Sequence, residues 1–306
     1  MSRRRRAATA AVVRGVPRPV LAAGAALLLL VASVVWLIVG RAAGGSAGSG
    51  RPENPARAAS ATPLGLPGGL AAGPTPTVTP GTDLRGKVVV LAPGHNGGNA
   101  AASAQVNRLV DAGGFRKACD TVGAETDAGY PEHVFTWDVA NQVAVLLRAR
   151  GVTVVLTRDS DTGVGPCVDA RARAGAAAHA DVAVSIHADG GPATGTGFHV
   201  IAPERAPDGV NAGILTASAR LATELRDTYE SATGEAPADY LANQQGIVDR
   251  DDLGGLNLST VPKVFIECAN MRNATDAAHV TDPAWRERAA TGIAVGILDF
   301  LAAPAS

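Results

Sequence analysis

Four side chains in this 306-residue sequence, His95, Glu132, His187 and Glu267, have the types needed for metal-assisted hydrolysis. His95 stands in the stretch VVVLAPGHNGGN (88–99), where an apolar run breaks into a Gly-rich turn. That pattern reads as a buried strand ending in a tight loop. His187 closes VAVSIH, in which Val182, Val184 and Ile186 alternate with Ser185 and His187, so the imidazole projects from the face opposite the apolar one. Glu267 ends the apolar run VFIE. Glu132 occupies the first turn of a predicted helix, one turn ahead of Phe135 and Thr136 and hence on the core-facing side. A carboxylate on an apolar stripe is costly unless a positive group meets it. Two histidines and a glutamate are a ligand set for a catalytic zinc whose fourth position is left to water. A second glutamate is the natural acid/base for that water. The partners lie 37, 92 and 172 positions beyond His95. No compact HExxH cassette holds them, so only the fold can assemble them.

The elements that must do so alternate along the chain. Strand patterns cover Val88–Leu91, Val152–Leu156, the VAVSIH run, Gly197–Ala202 and Lys263–Cys268. Between them lie helical patterns from Pro131 to Gly151, Val168–Ala180, Ile214–Ser231 and Trp285–Ala302. Strands and helices alternating in one run predict an α/β fold, with a mainly parallel twisted sheet, helices on both faces, and a single catalytic domain over 87–306. In such sheets, chemistry gathers beyond the carboxyl ends of the strands, where His95, His187 and Glu267 fall. The segment 96–130 reads as a long loop, and loops of that length in a compact domain are usually functional.

The first 86 residues belong to other classes. Residues 1–19 are basic and free of acids, and 20–39 (VLAAGAALLLLVASVVWLIV) are continuously apolar. Twenty such residues span a bilayer as a helix, with Trp36 as an interfacial anchor and the arginines on the cytoplasmic side. The span at 20–40 is therefore a transmembrane helix or, in the rival reading, a signal peptide; both export everything that follows. Residues 41–86, rich in Gly, Ala, Pro, Ser and Thr, cannot bury enough apolar surface to order themselves and read as a disordered tether. Seven arginines and no acid precede residue 42, so the whole-chain net charge of −1 leaves −8 on the exported part. An acidic surface argues against nucleic acid as a partner. Of three cysteines, Cys119 and Cys167 lie in Gly-rich, loop-like surroundings and Cys268 in an apolar strand. In an exported protein the first two are expected to form a disulfide and the third to be a buried thiol.

Taken in order, APGHNGGN, GYPEHVFTWD, TRDSD, SIHADGG and LNLSTVPKVFIECANMRN resemble the zinc-dependent N-acetylmuramoyl-L-alanine amidases of bacterial cell-wall autolysins. The motifs span nearly all of 87–303. The resemblance implies that His95, Glu132 and His187 hold Zn2+ and that Glu267 is catalytic. It implies peptidoglycan as substrate, cut at the amide between the lactyl group of N-acetylmuramic acid and L-alanine of the stem peptide. Two alternatives share these features: a non-catalytic peptidoglycan-binding domain, and a zinc peptidase cutting within the stem. One departure stands out. Many relatives continue the last motif with Gly-Phe-x-Ser-Asn, whereas here it reads Cys268-Ala269-Asn270-Met271-Arg272-Asn273, a change in a wall of the substrate groove. Asn96, Asn257 and Asn270 are the candidate substrate contacts. His133, next to Glu132 but turned about 100° around the helix, and Glu125 are its rivals as ligands. His199 reads as a sheet or groove residue, His179 and His279 as surface positions, and Arg158 with Asp159 as a strand-end ion pair or, in the rival reading, a groove contact.

Overall fold

The computed structural model describes residues 83–303 apart from 242–243. The expected membrane span and residues 41–82 of the tether lie outside the described residues. Among the described residues, no helix is long and apolar enough to cross a membrane.

The elements follow as β1 (Val88–Pro93), α1 (Ser103–Val106), β2 (Leu109–Asp111), β3 (Arg116–Ala118), α2 (Glu132–Arg148), β4 (Thr153–Leu156), α3 (Val168–Ala177), β5 (Val182–Asp189), β6 (His199–Pro203), α4 (Leu215–Thr233), β7 (Ile247–Arg250), α5 (Gly254–Asn257), β8 (Lys263–Asn270), α6 (Ala274–Thr281) and α7 (Pro283–Ala302). Six strands form one sheet in the order β4-β1-β5-β8-β6-β7. The pairs β1/β4, β1/β5, β5/β8 and β6/β7 are parallel, and β6 runs antiparallel to β8. The sheet is thus mixed and mostly parallel. Two features departed from expectation: the reversed β6, and the 96–130 segment, which holds the short antiparallel β2–β3 pair as well as loop.

The helices do cover both faces, but unequally. Val139, Val143 and Leu147 of α2, Leu221, Leu225 and Tyr229 of α4, and Ile293 and Ile297 of α7 pack with Val89, Leu91, Val184, Ile186 and Ile266 in one large core. The opposite face carries a thin layer in which Val90, Ala180 and Ala183 pack with Ala174 and Ala178. α2 forms because its apolar residues recur every three to four positions, matching the helical period. Pro131 precedes it in extended conformation, Glu132 lies in its first turn, and Gly151 beyond its end takes φ +83°, where a side chain would be strained. Asp282 caps α7 by accepting from the Ala284 amide, with Pro283 in the first turn, a position where its missing N–H costs nothing. Because β1, β5 and β8 are parallel, their carboxyl ends meet at one edge of the sheet. The start of α2 stands over that edge.

Candidate metal centre and cleft

Each of the four predicted side chains reaches that edge by a separate device. At the end of β1, Gly94 is tied by its amide to the Ile186 carbonyl (2.9 Å) and by its own carbonyl to the Thr136 hydroxyl (2.8 Å). A Cβ at position 94 would lie 2.2 Å from Cε1 of His187, so the His187 ring needs glycine there. His95 follows with φ +57°, a left-handed backbone costing about 1–2 kcal/mol for a residue with a side chain. Arg171 holds it by donating to the His95 carbonyl at 2.9 Å.

The imidazole of His95 places Nδ1 3.0 Å from Asp120 Oδ1 and Nε2 3.2 Å from Glu132 Oε2. Glu132 is buried, with Oε2 accepting the Ala124 amide (2.8 Å) and Oε1 accepting the Ala188 amide (3.1 Å). Nδ1 of His187 lies 2.9 Å from Glu132 Oε1. The His187 ring stacks on Phe265 at 5.1 Å and 4°, and meets the His95 ring edge-on at 5.0 Å. One ligand atom from each of His95, Glu132 and His187 lies within 4.8 Å of the others. Glu267 is the Cα partner of His187 across the β5–β8 pair. All four line an open cleft of about 730 Å³, with Asp127, Asp189 and Arg272 among its other walls.

The charges in this cage settle each other. Burial alone would protonate Glu132, but His95 and His187 outweigh it and hold the carboxyl well below its usual range. Burial alone would also strip His95 of its proton, yet the Glu132 and Asp120 carboxylates raise it to about 10. His187 is lowered, because burial exceeds its bond to Glu132 and His95 already carries the positive charge. At neutral pH the metal-free cage is therefore a cationic His95, a neutral His187 and an ionised Glu132. A carboxylate and two imidazoles so arranged suit a divalent metal such as zinc. Asp120 engages Nδ1 of His95 and leaves Nε2 facing Glu132, the arrangement that outer partners give metal-binding histidines. Glu267 is pushed well above the carboxylate range by burial and then by the Glu132 and Asp189 carboxylates.

The remaining predicted residues lie elsewhere. Asn96 adjoins His95 but is buried, with no partner for Oδ1. Asn257 is fully buried and donates to the Ala112 (2.9 Å) and Asp251 (2.6 Å) carbonyls, tying loops together. Asn270 donates to the Pro192 (2.7 Å) and Gly195 (2.8 Å) carbonyls and accepts the Arg272 amide at 3.1 Å, which supports the cleft wall from behind. None of the three lines the cleft. His133 turns to Asp161 (2.7 Å), and Glu125 lies exposed in the cleft wall. Arg158 pairs with Asp161 at 2.9 Å rather than with Asp159. His179 is exposed, as expected, but His279 is half-buried, bonded to Glu235 at 2.8 Å and stacked on Trp285 at 5.5 Å. Glu235, Asp276 and His279 also converge, but the Asp276 oxygens are already occupied by the Thr196 hydroxyl and the Gly197 and Asn270 amides. That cluster reads as a hydrogen-bonded staple.

Cys119 and Cys167 form the expected disulfide, and Cys268 is a buried free thiol. The bridge fixes the residue preceding Asp120 against the start of α3, where the Val168 amide also bonds the Cys119 carbonyl at 2.8 Å. Asp120, Arg171 and Phe265 are the supports that residue-by-residue reading missed. The juxtaposition of Asp120 with a bridging cysteine was the one available signal.

Residues 89–299 match the Amidase_3 family, described as N-acetylmuramoyl-L-alanine amidase. The chain belongs to that family. The N-acetylmuramoyl-L-alanine amidase Rv3717 of Mycobacterium tuberculosis is 38% identical over 240 residues, which is 77% of this chain and 96% of that one. Among solved structures, the amidase Ami1 of Mycobacterium smegmatis is 41% identical with a TM-score of 0.66, covering 72% of this chain and 99% of that one. The apo form of Ami1 from Mycobacterium abscessus is 42% identical with the same TM-score of 0.66, covering 71% and 99%. The Amidase_3 match thus takes in β1 through most of α7, and all four cleft residues fall inside it.

Proposed function

We propose that this amidase holds a zinc ion with His95, Glu132 and His187 and uses Glu267 as acid/base. The bond cut is the amide joining the lactyl group of N-acetylmuramic acid to L-alanine of the stem peptide. As a family member the protein is a peptidoglycan hydrolase. The observation that carries the zinc reading is the convergence of three ligand atoms within 4.8 Å at one end of a cleft that Glu267 shares. Zinc bound there supplies Lewis acidity, lowering the pKa of water and polarising a carbonyl.

The chain's own groups have distinct tasks. Asp120 accepts Nδ1–H of His95, which leaves Nε2 to ligate. The Ala124 and Ala188 amides hold both oxygens of Glu132 in place. Glu267 must take a proton from the attacking water and return it to the departing L-alanine nitrogen. Burial and the neighbouring Glu132 and Asp189 carboxylates raise Glu267 in the metal-free cleft, which favours return of the proton to the leaving nitrogen. Taking a proton from water needs the ionised carboxylate, the form a bound cation would favour. Water thus adds its hydroxyl to the lactyl carbon, the carbon–nitrogen bond breaks, and the amine leaves protonated.

Peptidoglycan lies outside the cytoplasmic membrane, so the enzyme works in the cell envelope. The Cys119–Cys167 bridge accords with an oxidising compartment. The apolar span at 20–40 is the device we assign to export, holding the enzyme at the membrane or leaving as a signal.

Glu267→Gln and His187→Ala, each made in the full-length chain, separate the roles. Glu267→Gln should retain one zinc per chain and lose about 10²–10⁴-fold in turnover, whereas His187→Ala should lose the metal. Loss of zinc from Glu267→Gln would exchange the roles of the two glutamates and refute the assignment.

A further inference from the structure

Glu267 has a neighbour on each side. It is the Cα partner of His187 on β5 and also of His199 on β6. Residues directly paired on adjacent strands project from the same face of a sheet. The alternate positions Val184, Ile186, Val200 and Ile266 enter the large core, so His187, Glu267 and His199 form one row across three strands on the opposite face. The first was assigned to the metal and the second to proton transfer. The third has had no use.

His199 is 5% exposed, and its Nδ1 has no hydrogen-bond partner. A buried polar atom left in that state calls for an explanation. The ring is backed edge-on by Tyr240 at 6.3 Å and 86°, and the Tyr240 hydroxyl is committed to Asp189 at 2.9 Å. Tyr240 therefore blocks one side of the ring. Next along the row stands Glu267, whose carboxyl makes no hydrogen bond to another described residue. A neutral imidazole can meet either state of a carboxyl, since its two tautomers put a donor or an acceptor at Nδ1. Burial keeps this imidazole neutral, drawing it down to about 4.

We infer that His199 is the positioning residue of Glu267: in the working enzyme its Nδ1, unpartnered and closed to solvent in this structure, takes the Glu267 carboxyl as its hydrogen-bond partner and holds it toward the cleft. Asp189 and Tyr240 brace the ring from behind. The inference rests on Glu267 as the acid/base.

The test uses the zinc-loaded full-length enzyme on muropeptides. His199→Phe keeps a ring against Tyr240 and removes Nδ1; His199→Asn puts an amide where Nδ1 was. For His199→Phe, kcat should fall about 10–100-fold, the scale of a misplaced catalytic group, with KM, zinc content and Tm unchanged. His199→Asn should recover most of that loss, and it decides the matter even if His199→Phe folds poorly. In a Glu267→Gln background, adding His199→Phe should change the residual rate less than about twofold, because residues acting as a unit are non-additive. Near wild-type kcat in His199→Phe would overturn the inference. So would equal losses in the Phe and Asn variants, or a further drop in the Glu267→Gln background. Should Glu267→Gln itself turn over normally, the acid/base assignment fails first and separately.

Discussion

At the metal site proposed above, a proton competes for His95. In the metal-free protein the Glu132 and Asp120 carboxylates raise this imidazole from 6.5 to about 10, and His187 is already neutral at pH 7. Ligation requires a deprotonated imidazole, so zinc held as proposed must expel the His95 proton. Calorimetric zinc titration near pH 8, in buffers of different ionisation enthalpy, should report at least about one proton released per zinc. The apparent affinity should climb about tenfold per pH unit up to the His95 pKa and then level. An affinity flat over that range would contradict the cage as described. The sign for stability is fixed by the same shift. A raised imidazole contributes stability to the metal-free fold that is complete below about 6.5 and disappears as pH rises through about 10. The ligand candidates were legible because each falls where an apolar pattern stops, and a polar residue there has a reason to be found. Asp120 was not, since it lies in a segment without periodicity and meets His95 only through the fold. The three asparagines show the converse: an amide suits a substrate and a backbone carbonyl equally, and in Asn257 and Asn270 the carbonyls hold it.

At the scale of elements, two buried arginines fasten the end of β1 to its surroundings. Arg158 donates to the Pro93 carbonyl (3.2 Å), the His133 carbonyl (3.0 Å) and Asp161 (2.9 Å). Arg171 donates to the Pro93 carbonyl (2.7 Å) and the His95 carbonyl (2.9 Å). Each guanidinium thereby ties a strand end to loops that cannot pair with a neighbouring strand. Removing Arg158 takes away a buried charge and one donor each from the Pro93 carbonyl, the His133 carbonyl and Asp161, which keep Arg171, Thr136 and His133 as their other partners. We expect Arg158→Ala to destabilise the fold by about 3 kcal/mol in urea unfolding, with zinc still bound by the protein that remains folded. A loss under about 1 kcal/mol would show that water replaces the arginine. The long, strongly patterned elements were readable from sequence, because a buried strand or an amphipathic helix imposes its period on many residues. β7, with Asp249 and Arg250 in a four-residue edge strand, and the three-residue β2 and β3 are too short to carry a period. The reversal of β6 is set by where its chain enters, which alternation cannot report.

For the whole molecule, the sheet brings to one edge groups that the sequence spreads from His95 to Glu267. The large core beneath α2, α4 and α7 fixes the strands, and the disulfide, across a separation of 48 residues, pins the Asp120 segment to α3. That placement supports the division of labour in which three residues hold zinc and Glu267 handles the proton. It also places the opening histidine turn and the late strand glutamate in one cleft with an acidic wall. Mass spectrometry of muropeptides incubated with the zinc-loaded full-length chain tests this most directly. The account predicts release of the intact stem peptide with a free L-alanine amine, leaving N-acetylmuramic acid with a free lactyl carboxyl, and no release after chelation. Muropeptide left uncut, or cut inside the stem peptide, would contradict it.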